Sequence, residues 1–248
     1  MGRIRCKAAV ALRFIDTVTH APVSGSGLYI QVVPKSPMIW KEDGYVVIME
    51  QPGVDSLDIF VSGGSFLPTR FHVALLREGS VPIWYIHLLP SDGYPFTEQM
   101  AVIRGNIAQG ELYAVRMADA GKYRIMEDLT AGEVVVKLWG SERISPGLLL
   151  MLNEGERCEP VTLLASDDET EYGYRIKEPL KESWKKGKTK LYSAVRIVSD
   201  DKGRFCIAYD RIQKGGEIIR FWNGRKMNKT DVELEIQEGQ ELEINVGR

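Results

Sequence analysis

Cysteine is scarce. Cys6, Cys158 and Cys206 are three in 248 residues, far apart and without a CxxC pair. That spacing excludes a disulfide framework and a cysteine-based zinc site, and leaves small buried side chains as the expected role. Charge of one sign is also missing. With 32 Lys and Arg against 34 Asp and Glu, the net charge is −2, so no global binder of nucleic acid is expected. Long apolar runs are absent. "GLLLML" is far short of the roughly 20 residues that cross a bilayer as a helix. The stretch "MGRIRCKAAVALRFIDT" runs quickly into charge and has no small-residue cleavage site. A soluble, cytoplasmic protein without a membrane span is the expectation. Helical periodicity is nearly absent as well.

What is present is a succession of short runs rich in β-branched and aromatic residues. They include "KAAVALRFI", "GLYIQVV", "SLDIFVS", "EVVVKLWG", "RFCIAYDRI" and "ELEINVG". Gly, Pro, Asn and Asp punctuate them about every eight to twelve residues, which is the pattern of an all-β sandwich. Two prolines and an Asp-Gly pair interrupt the runs at "LLPSDGYPFTEQ", Leu88 to Gln99. This predicts an all-β chain of tandem β-sandwich domains of Ig-like type, with residues 1–92 as the first. Residues 93–248 form a second all-β region, either one elaborated sandwich or two packed units. The acidic "SDDETE", Ser166 to Glu171, is the expected internal seam.

The stretch "DTVTHAPVSGSGLYIQVVP" reads as a strand exit, a turn and a strand entry. Asp16 and Thr17 can bond neighbouring amides, Pro22 cannot donate to a ladder, and Gly25 and Gly27 permit tight geometry. "FIDTVTHAPVSG" resembles the entry of a carboxypeptidase regulatory-like domain, a prealbumin-like β-sandwich. Asp16, Thr19, Pro22, Val23 and Gly25 fit that family's Asp-x-x-Thr-x-x-Pro-Val-x-Gly turn. Asp43, Gly44 and Tyr45 fit its Asp-Gly-aromatic strand entry. The likeness covers about residues 8–76 and implies a fold without catalytic machinery. A second resemblance concerns "IHLLPSDGYPFTEQMAVIRGNI". It is similar to linkers of small proteins encoded with contractile injection systems and phage-tail-like particles, through Leu88 to Pro90, Tyr94 to Phe96 and Arg104–Gly105. That likeness implies a second sandwich beginning near Arg104.

No reactive constellation stands out from ordinary structural roles. His20, His72 and His87 lie in different segments without metal-ligand spacing. Gly187-Lys188-Thr189 imitates the end of a P-loop, but position 182 is Glu182 and neither the strand nor the helix of that motif flanks it. Gly-x-Ser-x-Gly is absent. "SDDETE" and "VSDDKG" lack the alternation of a calcium loop and read as turns. No cofactor, metal or catalytic residue is therefore expected. The lysine-rich "LKESWKKGKTKLY" is the expected partner-binding element, with Trp184 as aromatic anchor and Lys185, Lys186 and Lys188 steering acidic surfaces. Trp222 in "RFWNGR" is a second anchor. The function expected is that of a non-enzymatic structural adaptor with protein partners in a larger assembly, including copies of itself and without nucleic acid. A cap or baseplate accessory of a contractile injection or phage-tail-like particle is the implied setting. The alternative is a carbohydrate-binding sandwich using exposed aromatics.

Overall fold

The computed structural model describes residues 7–24, 27–75, 81–107, 112–142, 144–166, 171–223 and 232–246. The fold is all-β. Met117–Asp119 forms a 3-10 turn. The chain divides into two compact units, Met1–Pro95 and Phe96–Arg248.

Among the described residues, seven strands build the first unit. They are β1 (Ala8–Asp16), β2 (Leu28–Val33), β3 (Met38–Trp40), β4 (Tyr45–Met49), β5 (Ser56–Gly63), β6 (Phe66–Ala74) and β7 (Ile83–Leu88). One sheet runs β3-β4-β1-β7 and the other β2-β5-β6. Period-two alternation explains which faces meet. Val10, Leu12 and Phe14 of β1 join Leu57, Ile59 and Val61 of β5 in one core, because successive strand side chains point to opposite faces. Strand β1 pairs antiparallel with β4 and parallel with β7. Gly44, at φ 86°, supplies the left-handed residue of the turn between β3 and β4, a conformation that costs glycine little.

The second unit contains a sheet of β8 (Ala101–Ile107), β16 (Arg204–Tyr209) and β19 (Glu241–Val246), ordered β16-β8-β19. Gly105 lies at its centre. A Cβ there would stand 2.4 Å from the Ile244 carbonyl oxygen and 2.9 Å from the Phe205 ring, so only glycine fits after Arg104. The remaining strands are β9 (Leu112–Arg116), β10 (Tyr123–Ile125), β11 (Val135–Gly140), β12 (Leu149–Glu154), β13 (Arg157–Ser166), β14 (Gly173–Ile176), β15 (Lys190–Ile197), β17 (Glu217–Asn223) and β18 (Val232–Ile236). They form a continuous sheet ordered β10-β11-β14-β13-β12-β15-β9-β17-β18.

That sheet closes on itself at one end. Tyr123 of β10 pairs with Leu191 of β15, making a six-stranded antiparallel barrel from β10, β11, β14, β13, β12 and β15. Side chains fill its interior, among them Leu138, Leu150, Leu152, Leu163 and Trp184, as in other small barrels. Strand β15 has two roles. Its first half, Lys190 to Ser193, pairs with β12, and its second half, Ala194 to Ile197, pairs with β9.

The pairings of the two units correspond. Strand β8 is antiparallel to β16 and parallel to β19, as β1 is to β4 and β7. The row β9-β17-β18 matches β2-β5-β6. The third strand differs, since β3 joins β4 whereas β15 joins β9. The barrel strands β10 to β14 are inserted between the second and third strands of this scheme.

Candidate functional site

The turn after β1 is a hydrogen-bonded corner. Asp16 is buried, and its Oδ1 accepts the Val18 amide at 2.8 Å. Its Oδ2 accepts Thr19 Oγ1 at 3.0 Å and the Tyr94 hydroxyl at 2.7 Å. Thr17 Oγ1 donates to the Leu88 carbonyl at 2.9 Å. The acid is thus consumed in tying the turn to the stretch after β7. His20, exposed at φ 57°, lies at the tip. Gly25 lies outside the described residues.

The lysine-rich segment differs from the sequence expectation at its centre. Trp184 is not a surface anchor. It is fully buried in the barrel, and its indole N–H donates to Glu159 Oε2 at 2.9 Å. Glu159, also buried, accepts the Lys181 amide at 2.7 Å and the Glu182 amide at 3.3 Å. The Arg157 guanidinium lies 5.0 Å from the Trp184 ring centroid and pairs with Glu182 at 3.0 Å. The physical reason is phase. Glu159 shares parity with Val161 and Leu163 on β13, so its carboxylate points into the barrel and needs buried donors. Trp184 carries one, along with enough apolar surface to plug the barrel. This in-phase acid was the signal in the sequence that would have placed Trp184 inside.

Trp222 is corrected in the same way. It is fully buried, with Tyr113, Val115, Met151 and Tyr192 around it. Its ring meets Tyr192 edge to face at 5.9 Å. Lys185, Lys186 and Lys188 are exposed, as a solvated loop requires. Gly187, at φ 80°, turns the loop. Asp128 holds it through Lys185 Nζ at 2.9 Å and the Lys186 amide at 2.8 Å. The Lys185 hydrogen bond keeps the Asp128 carboxyl below its usual range, and Asp128 in turn raises Lys185. The lysines therefore stay together at one edge of the barrel while both tryptophans leave the surface.

The densest polar cluster was not anticipated. It lies where the chain leaves β9 for the barrel and where β15 returns. Arg116 donates from Nε to Glu217 Oε2 at 2.5 Å and from Nη2 to Oε1 at 2.7 Å. Nη2 also donates to the Arg211 carbonyl at 2.5 Å. The Glu217 side chain is 1% exposed, and its Oε1 also accepts the Gln213 amide at 2.7 Å. Next in the chain, buried Asp119 meets Lys122 Nζ at 2.9 Å and accepts the Ser193 hydroxyl. Hydrogen bonding to Glu217 raises Arg116, and Asp119 raises Lys122. Tyr209 is buried beside them, with Arg116 5.9 Å from its ring. Burial pushes its phenol well above the usual value, and among the described residues its hydroxyl has no hydrogen-bond partner. Each charge here faces an opposite one, an arrangement that fixes the backbone segments it joins. Arg116 and Glu217 stand 101 residues apart, so sequence spacing gave no sign of the pair.

The other candidates are dispersed. His72 Nδ1 lies 3.1 Å from Asp58 Oδ1, its partner across the strands, and that hydrogen bond lowers the Asp58 carboxyl. His87 lies on β7 of the other sheet. Among the described residues no group of three His, Cys, Asp or Glu side chains is arranged to hold a metal. In "VSDDKG", Asp200 Oδ1 accepts the amides of Lys202 and Arg204, which is turn chemistry. Residues 167–170 of "SDDETE" and Cys6 lie outside the described residues. No protein-family model, curated protein or solved structure matches the chain.

Proposed function

We propose that the protein is a non-enzymatic structural adaptor that joins protein partners in a larger assembly. One observation carries this reading: the barrel is built into the second unit through shared strand β15, and the Arg116–Glu217 and Asp119–Lys122–Ser193 contacts clamp both chain crossings. A buried, mutually paired network of this kind spends its polar groups on position. Adaptor work requires a rigid arm more than a reactive cleft. The corresponding strand pairings support a finer reading of the fold, two prealbumin-like sandwiches in tandem with the second carrying the barrel. The linker resemblance around Leu88 to Gly105 supports a contractile injection or phage-tail-like particle as the setting. The carbohydrate-binding alternative loses Trp184 and Trp222 to the interior, and exposed Tyr29 and Trp40 lie on different sheets.

The test replaces Lys185, Lys186 and Lys188 together by Glu and co-expresses the variant with the products of neighbouring genes. Steering by this loop predicts lower complex recovery, with the largest loss at low salt, where the Debye length is longest. Recovery equal to the parent at every ionic strength removes the loop from the docking surface. Absence of any complex with the parent chain contradicts the adaptor itself.

A further inference from the structure

The outer face of the β3-β4-β1-β7 sheet breaks the usual alternation. Since Val10, Leu12 and Phe14 enter the core, Ala11, Arg13 and Ile15 point the other way. Register sets Val47 and Ile83 beside Ala11, with Ile39 beside Val47. Tyr45 and Tyr85 flank Arg13 in the next row. A sheet buried on one face ordinarily puts polar residues on the other, yet Ile39 is 44% and Ile83 41% exposed. Neither edge strand of the sheet carries a formal acid or a Lys or Arg: β3 reads MIW and β7 reads IWYIHL. By contrast, the edge strand β18 of the second unit carries Glu233 and Glu235, charges of the sort that protect an edge from pairing.

In the middle of this apolar face stands one cation. The Arg13 guanidinium donates to the Tyr45 hydroxyl at 2.8 Å and lies 4.6 Å from that ring's centroid. Among the described residues no carboxylate pairs with Arg13. A half-buried guanidinium among aromatic and aliphatic side chains has the composition of an interface centre, where Arg and Tyr are enriched. It lacks only the acid that would make it a bidentate pair.

We propose that this face docks a protein partner that lays an apolar strip over Ile39, Val47 and Ile83 and places one Asp or Glu carboxylate on Arg13. The proposal rests on the adaptor reading for its biological role. A second copy offering the same face is disfavoured by charge, because it brings an arginine where an acid is needed.

Random peptides displayed on phage, selected against the purified full chain, provide the probe. Selected peptides are then measured on the parent, Arg13→Gln and Ile83→Lys, with circular dichroism verifying the fold of each. The proposal predicts enriched peptides with an acid flanked by apolar residues. Binding should fall roughly tenfold to a hundredfold on Arg13→Gln, as expected for loss of a charged hydrogen bond. Ile83→Lys replaces an exposed side chain, so it decides the matter if Arg13→Gln fails to fold. Peptides without an acid, or equal binding to both variants, overturn the proposal. So does concentration-dependent dimerisation of the parent that Ile83→Lys abolishes. Since the peptide measurement needs no cellular assembly, its failure is separable from failure of the adaptor reading.

Discussion

The indole N–H of Trp184 donates to the buried carboxylate of Glu159 across 2.9 Å. The same carboxylate accepts the amides of Lys181 and Glu182. One acid on β13 therefore seats the segment before the lysine loop and closes the barrel over an aromatic side chain.

Replacing Glu159 by Ala should destabilise the protein by about 3 kcal/mol or more, because three donors lose their acceptor in a buried site. Trp184→Phe should cost less than Trp184→Ala, which removes about 3–5 kcal/mol of packing. Urea denaturation of the three variants measures this. Parental stability for Glu159→Ala would mean that the carboxylate does not organise the segment.

Arg116→Ala strips a buried carboxylate of its cation. A loss of about 3–5 kcal/mol is expected, and the double variant Arg116→Ala with Glu217→Ala should lose less than the two singles summed. Arg116→Lys should recover only part of the loss. Lysine keeps the charge but cannot form the two-pronged contact with Glu217 while also reaching the Arg211 carbonyl. A double-mutant cycle by chemical denaturation provides the numbers, and strict additivity would deny the coupling.

Tyr209 gives a signature in alkali. Burial holds its phenol above the ordinary 10.0, so the folded state binds this proton more tightly than the unfolded chain. The resulting stability is fully present below about pH 10 and disappears as pH rises toward the raised value. Tyr209→Phe should flatten that alkaline decline. At neutral pH it should be neutral or stabilising by about 1 kcal/mol, since it removes a buried hydroxyl that has no partner among the described residues. Thermal melts from pH 8 to the alkaline limit distinguish the two chains, and identical pH profiles would contradict the assignment.

Local rules carried the reading a certain distance. The run "KAAVALRFI" reads as a strand from its apolar and aromatic content and forms β1, with Val10, Leu12 and Phe14 in the core, and the Asp43-Gly44 pair marks a turn through Gly44's positive φ. Closure of the barrel was not legible, because it depends on Tyr123 meeting Leu191, a contact that no local period encodes. Trp184 misled for a related reason. Its lysine neighbours are solvated, but its own environment is set by Glu159, 25 residues away. The Arg116–Glu217 clamp forms only when β9 and β17 become neighbours. Residues that fix local turns announce themselves in sequence, whereas those that join distant strands do so only through phase, as Glu159 does with Val161 and Leu163.

Native-state hydrogen exchange read by mass spectrometry tests most directly whether the second unit is one rigid arm. If β15 and the Arg116 and Asp119 contacts bind barrel to sheet, amides in β12, β15, β9 and β17 should open together with a common free energy. Arg116→Ala should lower that shared value in all four strands. Rapid exchange across β10 to β14 while β9 and β17 stay protected would show a barrel that opens on its own, and that result would contradict the account.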